Sequence, residues 1–324
     1  MIEILLLPVL VWIYLGVILS CTLAYEDYLK KATKVNRIFF ALTLSLNFGI
    51  VLALARYYLE VISHLPEIIV LSLVVSVLVM LYLHYKQRPK CSKIDFCSID
   101  GMEFYVCHDG SVNAWYNPKK GIYISDRLLK VLNRKELKAV YHHEKGHEKN
   151  VRMDNLSKAI AIGFWLSFFS AVFSAVIFLF FLPIVFSAEI LIFLLSLFIV
   201  VCSLVAVCML YLWFSEHEAD IHSIKELGTA EPLVSALMKT HFYAGLQREG
   251  VLVNRRIPSS LLTKPGFQNP GKKSIFKLIL IESLKTASNV WDLLGILKDP
   301  LPPMHPPLWL RIYKILRESK NTQN

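Results

Sequence analysis

Lys138-Ala-Val-Tyr-His-His-Glu-Lys-Gly-His-Glu148 sets two imidazoles four residues apart, with a carboxylate directly after the first. On a helix that spacing puts His143 and His147 one turn apart on the same face, where both can converge on one metal ion. Glu144 sits where it can act on a water at that metal without binding the metal itself. The pattern H-E-x-x-H would arise by chance in roughly one or two chains of this size and histidine content in a hundred. A bland surface helix is therefore the reading to beat. Three features count against it. Asn133-Arg-Lys-Glu136 reads as a capping box that starts a helix through the motif. No proline interrupts that helix, and a third ligand occurs downstream. His142 has Gly146 one turn on, so it has no pairing partner and reads as a bystander.

The chain around the motif is unusually apolar: 55% of its 324 residues are hydrophobic and the mean hydropathy is +0.49. These residues are bunched into about five runs of the roughly 20 residues that a helix needs to cross a bilayer. The runs cover about 4–24, 38–55, 65–85, 159–186 and 188–214, the last two forming a hairpin around Pro183 and Glu189. Buried core helices are the rival reading, but five long runs with almost no internal charge argue against it. No basic residue precedes the first run, and Cys21-Thr-Leu-Ala-Tyr-Glu26 is a poor cleavage context, so a retained span is expected there.

Charge between the runs predicts orientation. Lys30, Lys31, Lys34 and Arg37 follow the first run, and Lys86, Arg88, Lys90 and Lys93 follow the third. The intervening loop has only Arg56, and the hairpin tip near Ser187 has no basic residue. The positive-inside rule then sets the N-terminus outside and residues 86–158 and 215–324 in the cytoplasm. A net charge of +10 reads as positive charge near anionic headgroups. No nucleic-acid recognition motif is present. The six cysteines (Cys21, Cys91, Cys97, Cys107, Cys202 and Cys208) show no C-x-x-C spacing, and three fall on the reducing side, so structural disulfides are not expected.

The expected fold class is a mainly α, multi-pass membrane protein with a split cytoplasmic α+β catalytic domain. Residues 1–93 form an N-terminal membrane region with three spans, and 94–158 the first half of the catalytic domain. A transmembrane hairpin covers 159–214, and 215–324 supply the second half. Alternating segments at 102–107, 111–115 and 121–124, separated by Asp109-Gly110 and Asn117-Pro118, predict a small antiparallel sheet. Ser125 should cap a short helix. Further helices are predicted at about 231–245 and 274–298, flanking a long loop at 251–273, and a last amphipathic helix follows Pro300-Leu-Pro-Pro-Met-His-Pro-Pro307.

Two imidazoles leave zinc short of the three protein ligands that a catalytic site has. Phe214-Ser-Glu-His-Glu-Ala-Asp220, directly after the fifth run, offers Glu216, with Glu218 and His217 competing on distance alone. Asp220, one turn beyond Glu216, can orient a ligating histidine.

The chain resembles the HtpX-like integral-membrane zinc metallopeptidases, a family that also contains the zinc-type CAAX prenyl proteases. The likeness covers about residues 100–315. It rests on Val112-Asn113-Ala114, on Asn133 to Asn150 with its H-E-x-x-H, on Glu216-x-x-Ala219-Asp220 and on His305-Pro306-Pro307 with Arg311-Ile312. The resemblance implies a zincin-like catalytic domain and one Zn2+ per chain held by His143, His147 and Glu216, with Glu144 as catalytic base and Asp220 supporting a ligand. It also puts His305 and Arg311 close to the site, as substrate-binding or oxyanion-stabilising groups. The chain departs from the family pattern in its Asn47, inside the second run, and in having fewer spans than the large prenyl proteases. Sensor-transducer metallopeptidases share three spans before a similar motif.

The implied activity is hydrolysis of peptide bonds, on an extended polypeptide added as a strand beside Asn113 and Ala114. Unfolded or damaged membrane proteins are the substrate class that the likeness implies, with the lipid bilayer as the other partner. A metal-binding scaffold without catalysis is the alternative of another class; it has no need of Glu144. One register problem remains: His147 lies 40 residues before Ser187 and Glu216 lies 29 after it. Straight antiparallel helices would separate them by roughly 16 Å, so a kink between Met153 and Ala159 or near Pro183 is expected.

Overall fold

The computed structural model describes residues 2–31, 33–62, 91–149, 188–248, 271–289 and 305–323, together with positions 74 and 78. The third and fourth apolar runs, the expected kink and nearly all of the 251–273 loop lie outside these residues. Among the described residues there are eight helices and one small sheet, divided between two compact units.

The first unit contains residues 1–88, 156–212 and 270–304. Its N-terminal helices are α1 (Ile2–Lys30) and α2 (Lys34–Ile62). Apolar length makes them helices, and aromatic packing joins them: Phe40 stacks on Tyr28 with ring centres 5.2 Å apart and tilts onto Tyr25 at 5.8 Å. Asn47, a polar residue inside the second apolar run, donates to Ser20 Oγ at 3.0 Å and to the Thr43 carbonyl at 2.8 Å. The helix Lys272–Asn289 belongs here as well. Its Ser283 bonds Tyr14 at 2.8 Å, so the division at 215 drawn from sequence splits differently in space.

Among the described residues, three helical stretches are long and apolar enough to cross a membrane: Leu7–Lys30, Lys34–Leu54 and Phe198–Leu227. They correspond to the first, second and fifth expected runs. The described residues are thus mainly helical, with three candidate spans and a small sheet.

The second unit contains residues 89–155, 213–269 and 305–324. Its sheet has β1 (Ile94–Ile99), β2 (Met102–Cys107), β3 (Ala114–Asn117) and β4 (Gly121–Ser125), in the order β1-β2-β4-β3. The expectation of an antiparallel sheet is corrected here: β2 and β4 run parallel, while the outer pairs are antiparallel. The loop 108–113 carries β3 past the position beside β2, and β4 takes that place. β1, whose Asp95 and Ser98 weaken its apolar alternation, was not anticipated.

A second correction concerns the cysteines. Cys91 and Cys107 form a disulfide with Cα atoms 5.2 Å apart. The β1–β2 register pairs Ile94 with Cys107, and reciprocal bonds between the Ser92–Lys93 backbone and His108 carry the ladder outward. Strand register therefore joins two residues that no short spacing would reveal.

Along β2 and β4, Met102, Phe104, Val106, Ile122 and Ile124 point to one face. They form a core with Leu128, Val131, Leu137, Val140 and Tyr141. The last five come from α3 (Asp126–Val131) and α4 (Arg134–Lys149), the helix that carries the H-E-x-x-H residues. Ser125 caps α3, accepting from the Leu128 N–H. Asn133 and Glu136 form the expected capping box, with reciprocal bonds of 2.8 and 2.9 Å. The Glu136 carboxylate is then gripped by Lys239 at 2.8 Å and by Ser235, both from α6 (Glu231–Arg248).

Candidate metal centre

The centre is made where α4 meets the downstream part of α5 (Ala188–Leu227). These helices approach closely because Gly146 has no side chain. A Cβ there would lie 2.8 Å from Ala219 Cα and 3.1 Å from its carbonyl oxygen. Helix-interior glycine costs about 1 kcal/mol against alanine, and here the close approach offsets it. Ser223 Oγ donates to the Ala139 carbonyl at 2.7 Å and ties the helices a second time. Neither contact was anticipated, although an isolated glycine inside a helical motif is itself a packing signal.

That approach brings His143, His147 and Glu216 together, with one ligand atom from each lying within 4.8 Å of the others. Glu216 Oε1 is 3.5 Å from His147 Nε2, and its Oε2 is 3.7 Å from His143 Nε2. Bonds of about 2.0–2.2 Å in a tetrahedral shell require ligand atoms roughly 3.3–3.6 Å apart. The spacing lies close to that range, and the donor set, two imidazoles and one carboxylate, could hold a metal ion of the zinc type. Glu216 is the competitor that lands in the group; His217 and Glu218 are not part of it.

The supporting residues orient these ligands. Asp220 Oδ1 stands 2.9 Å from His143 Nδ1, which turns the opposite nitrogen toward the ligand cluster. Asp220 is in turn held by Arg311, from α8 (Leu308–Gln323), through bonds of 2.9 Å from Nε and 2.6 Å from Nη2. The third guanidinium nitrogen reaches Glu216 Oε2 at 3.3 Å. Burial disfavours the Arg311 cation, but Asp220 and Glu216 overcome it and keep its pKa above the usual value. With its donors aimed at two carboxylates, Arg311 is a positioning residue.

His305 approaches from the entry to α8, with Nδ1 2.9 Å from Glu216 Oε2. The Glu216 carboxylate raises its pKa against the opposing effect of burial. Glu144 is buried beside the ligands. Burial pushes its pKa upward, against the lowering influence of His143 and His147, which makes its carboxylate a better proton acceptor.

Asn113 directly precedes, and Ala114 begins, β3, an edge strand of the sheet that packs against α4. The Asn113 N–H donates to Ser125 Oγ at 3.0 Å, and the Ala114 N–H to Asn113's own side chain at 3.0 Å. His142 lies outside the ligand group; its charged neighbours include Glu226.

A buried carboxylate beside two imidazoles and a second carboxylate, on two helices in close contact, makes a candidate metallopeptidase centre. The chain belongs to peptidase family M48, whose family model matches residues 82–319 and which includes HtpX and CAAX protease relatives. No curated protein and no solved structure matches the chain.

Proposed function

We propose that this M48 metallopeptidase is a zinc-dependent, multi-pass membrane endopeptidase acting on unfolded or damaged membrane proteins. The observation that carries the zinc reading is the 3.5–3.7 Å spacing of Glu216 from His143 and His147, with Glu144 buried alongside. Zinc bound there supplies Lewis acidity to an attacking water and to a scissile carbonyl. Glu144 takes the proton of that water and passes it to the departing amine. Asp220 and Arg311 hold His143 and Glu216 in place while this happens. His305, 2.9 Å from Glu216 and with its pKa raised by that carboxylate, is the group we assign to stabilise negative charge developing on the carbonyl oxygen.

Substrate lies extended along the outer edge of β3 near Asn113 and Ala114, added as a further strand. Backbone recognition tolerates many sequences, which suits a substrate class defined by being unfolded. Basic residues around 30–37 and 86–93 support a catalytic unit on the cytoplasmic side of the cell membrane. The Cys91–Cys107 disulfide favours the inverted orientation, because such bonds persist in oxidising compartments.

The test is metal content and casein cleavage of the purified protein, wild type and Glu144→Gln. Zinc retained in both, with cleavage confined to wild type, supports the proposal. Equal cleavage by both sinks it, and equal metal without cleavage by either points to a scaffold. A cysteine replacing Lys149, in a background without Cys97, should resist an impermeant thiol reagent in intact cells; labelling there would make the unit outward-facing.

A further inference from the structure

One row of side chains crosses the whole sheet without a break. Phe96 of β1 pairs in register with Tyr105 of β2, Tyr105 with Tyr123 of β4, and Tyr123 with Trp115 of β3. Each step is a ring contact: 5.6 Å edge-on, 5.2 Å stacked, then 5.3 Å stacked and nearly parallel at 6°. These residues alternate with the core-facing Phe104, Ile122 and Ile124, so the row lies on the opposite face from α3 and α4. The metal ligands of α4 are therefore on the other side of the sheet, and the row is not part of the cleft beside them.

This face is open at its β1 edge, where Phe96 is 61% exposed and Ile94, two residues before it on the same face, is 46% exposed. Tyr105 and Trp115 are half-buried, and Tyr123 is buried where it stacks between them. Their chemistry is that of the bilayer interface, where Trp and Tyr put an apolar ring among acyl chains and a polar edge among headgroups. Chain connectivity points the same way. Phe96 lies eleven positions beyond Tyr85, the end of an apolar run of membrane-spanning length, with ten residues between them. Fully extended they reach about 36 Å at most. Lys86, Arg88, Lys90 and Lys93 fill that connection and suit anionic headgroups.

We propose that the outer face of the sheet, centred on Phe96, Tyr105 and Trp115, docks onto the lipid headgroup layer and holds the catalytic unit at the membrane surface. The inference rests on the chain being membrane-inserted, not on its being a protease. It also supplies the substrate class with a physical basis, since a unit held at the surface meets segments emerging from the bilayer.

The experiment uses the full chain in liposomes of phosphatidylcholine with phosphatidylglycerol, insertion being checked separately by flotation. A nitroxide is attached at Phe96→Cys with Cys97→Ser; the remaining cysteines are buried or disulfide-bonded. Power saturation should show the label several-fold more accessible to oxygen than to a water-soluble nickel chelate. A control label at the exposed Lys138 on α4 should show the reverse. Nickel dominance at position 96 overturns the proposal, and exclusion of both reagents overturns it too, because another protein surface would then cover the row. Should labelling disturb the strand, Trp115 gives an independent reading. The fluorescence lost in Trp115→Phe should be at least halved in lipids brominated near the headgroup, and an unchanged signal refutes docking.

Discussion

Two parts of the helix Ala188–Leu227 handle polar groups in opposite ways. Upstream, Ser196 and Ser203 donate back to carbonyls four residues earlier on their own helix, those of Ile192 and Ile199, at 2.7 and 3.1 Å. No residue between Glu189 and Glu216 is charged. Downstream, Ser223 donates to another helix, and Glu216 and Asp220 meet groups from α4 and α8. A helix in an apolar setting must satisfy its own polar groups. One that builds a site must aim them outward at partners. One element can thus carry a candidate span upstream and a candidate metal ligand downstream, its polar inventory changing at Ser215.

The largest effect expected of a single change at the site is that of Glu144→Gln, which should lower peptide cleavage by at least ~10²-fold while leaving metal content intact. Parallel cleavage and metal assays check both halves, and activity within tenfold of wild type would remove the proposed base. Next comes the ligand itself. Glu216→Ala should weaken metal binding much more than Glu218→Ala, measured by chelator competition in detergent; equal losses would reassign the ligand.

Arg311→Lys and Asp220→Asn should each weaken metal binding by about 10–100-fold, because each leaves a ligand without its orienting partner. An effect of Arg311→Lys on cleavage alone, with metal affinity untouched, would instead make Arg311 a substrate-binding group. Gly146→Ala should cost about 1–3 kcal/mol by forcing α4 away from Ala219, read as a lower melting temperature together with weaker metal binding.

The smallest pair tests the contrast directly. Ser223→Ala should destabilise by about 1 kcal/mol, since it leaves the buried Ala139 carbonyl without this partner. Ser196→Ala, whose hydroxyl only returns to its own helix, should stay within about 0.5 kcal/mol. Equal effects would erase the distinction between the two parts.

Local chemistry made much of this legible before any fold was known. The spacing of His143 and His147, the Asn133–Glu136 capping box, the Ser125 cap and the apolar runs on α1 and α2 depend on neighbours within a few residues, and all take the form expected. Glu216 needed more: as sequence it was one of three acidic or imidazole candidates within three positions, and the resemblance, not the spacing, selected it. The parallel β2–β4 pairing, the Cys91–Cys107 bond, the aromatic row and the Gly146–Ala219 contact could not be read in advance. Each joins residues whose separation along the chain carries no information about their separation in space. Helical period and capping are written in consecutive residues; strand order, register and the distance between two helix axes are settled only when side chains from distant segments compete for the same volume.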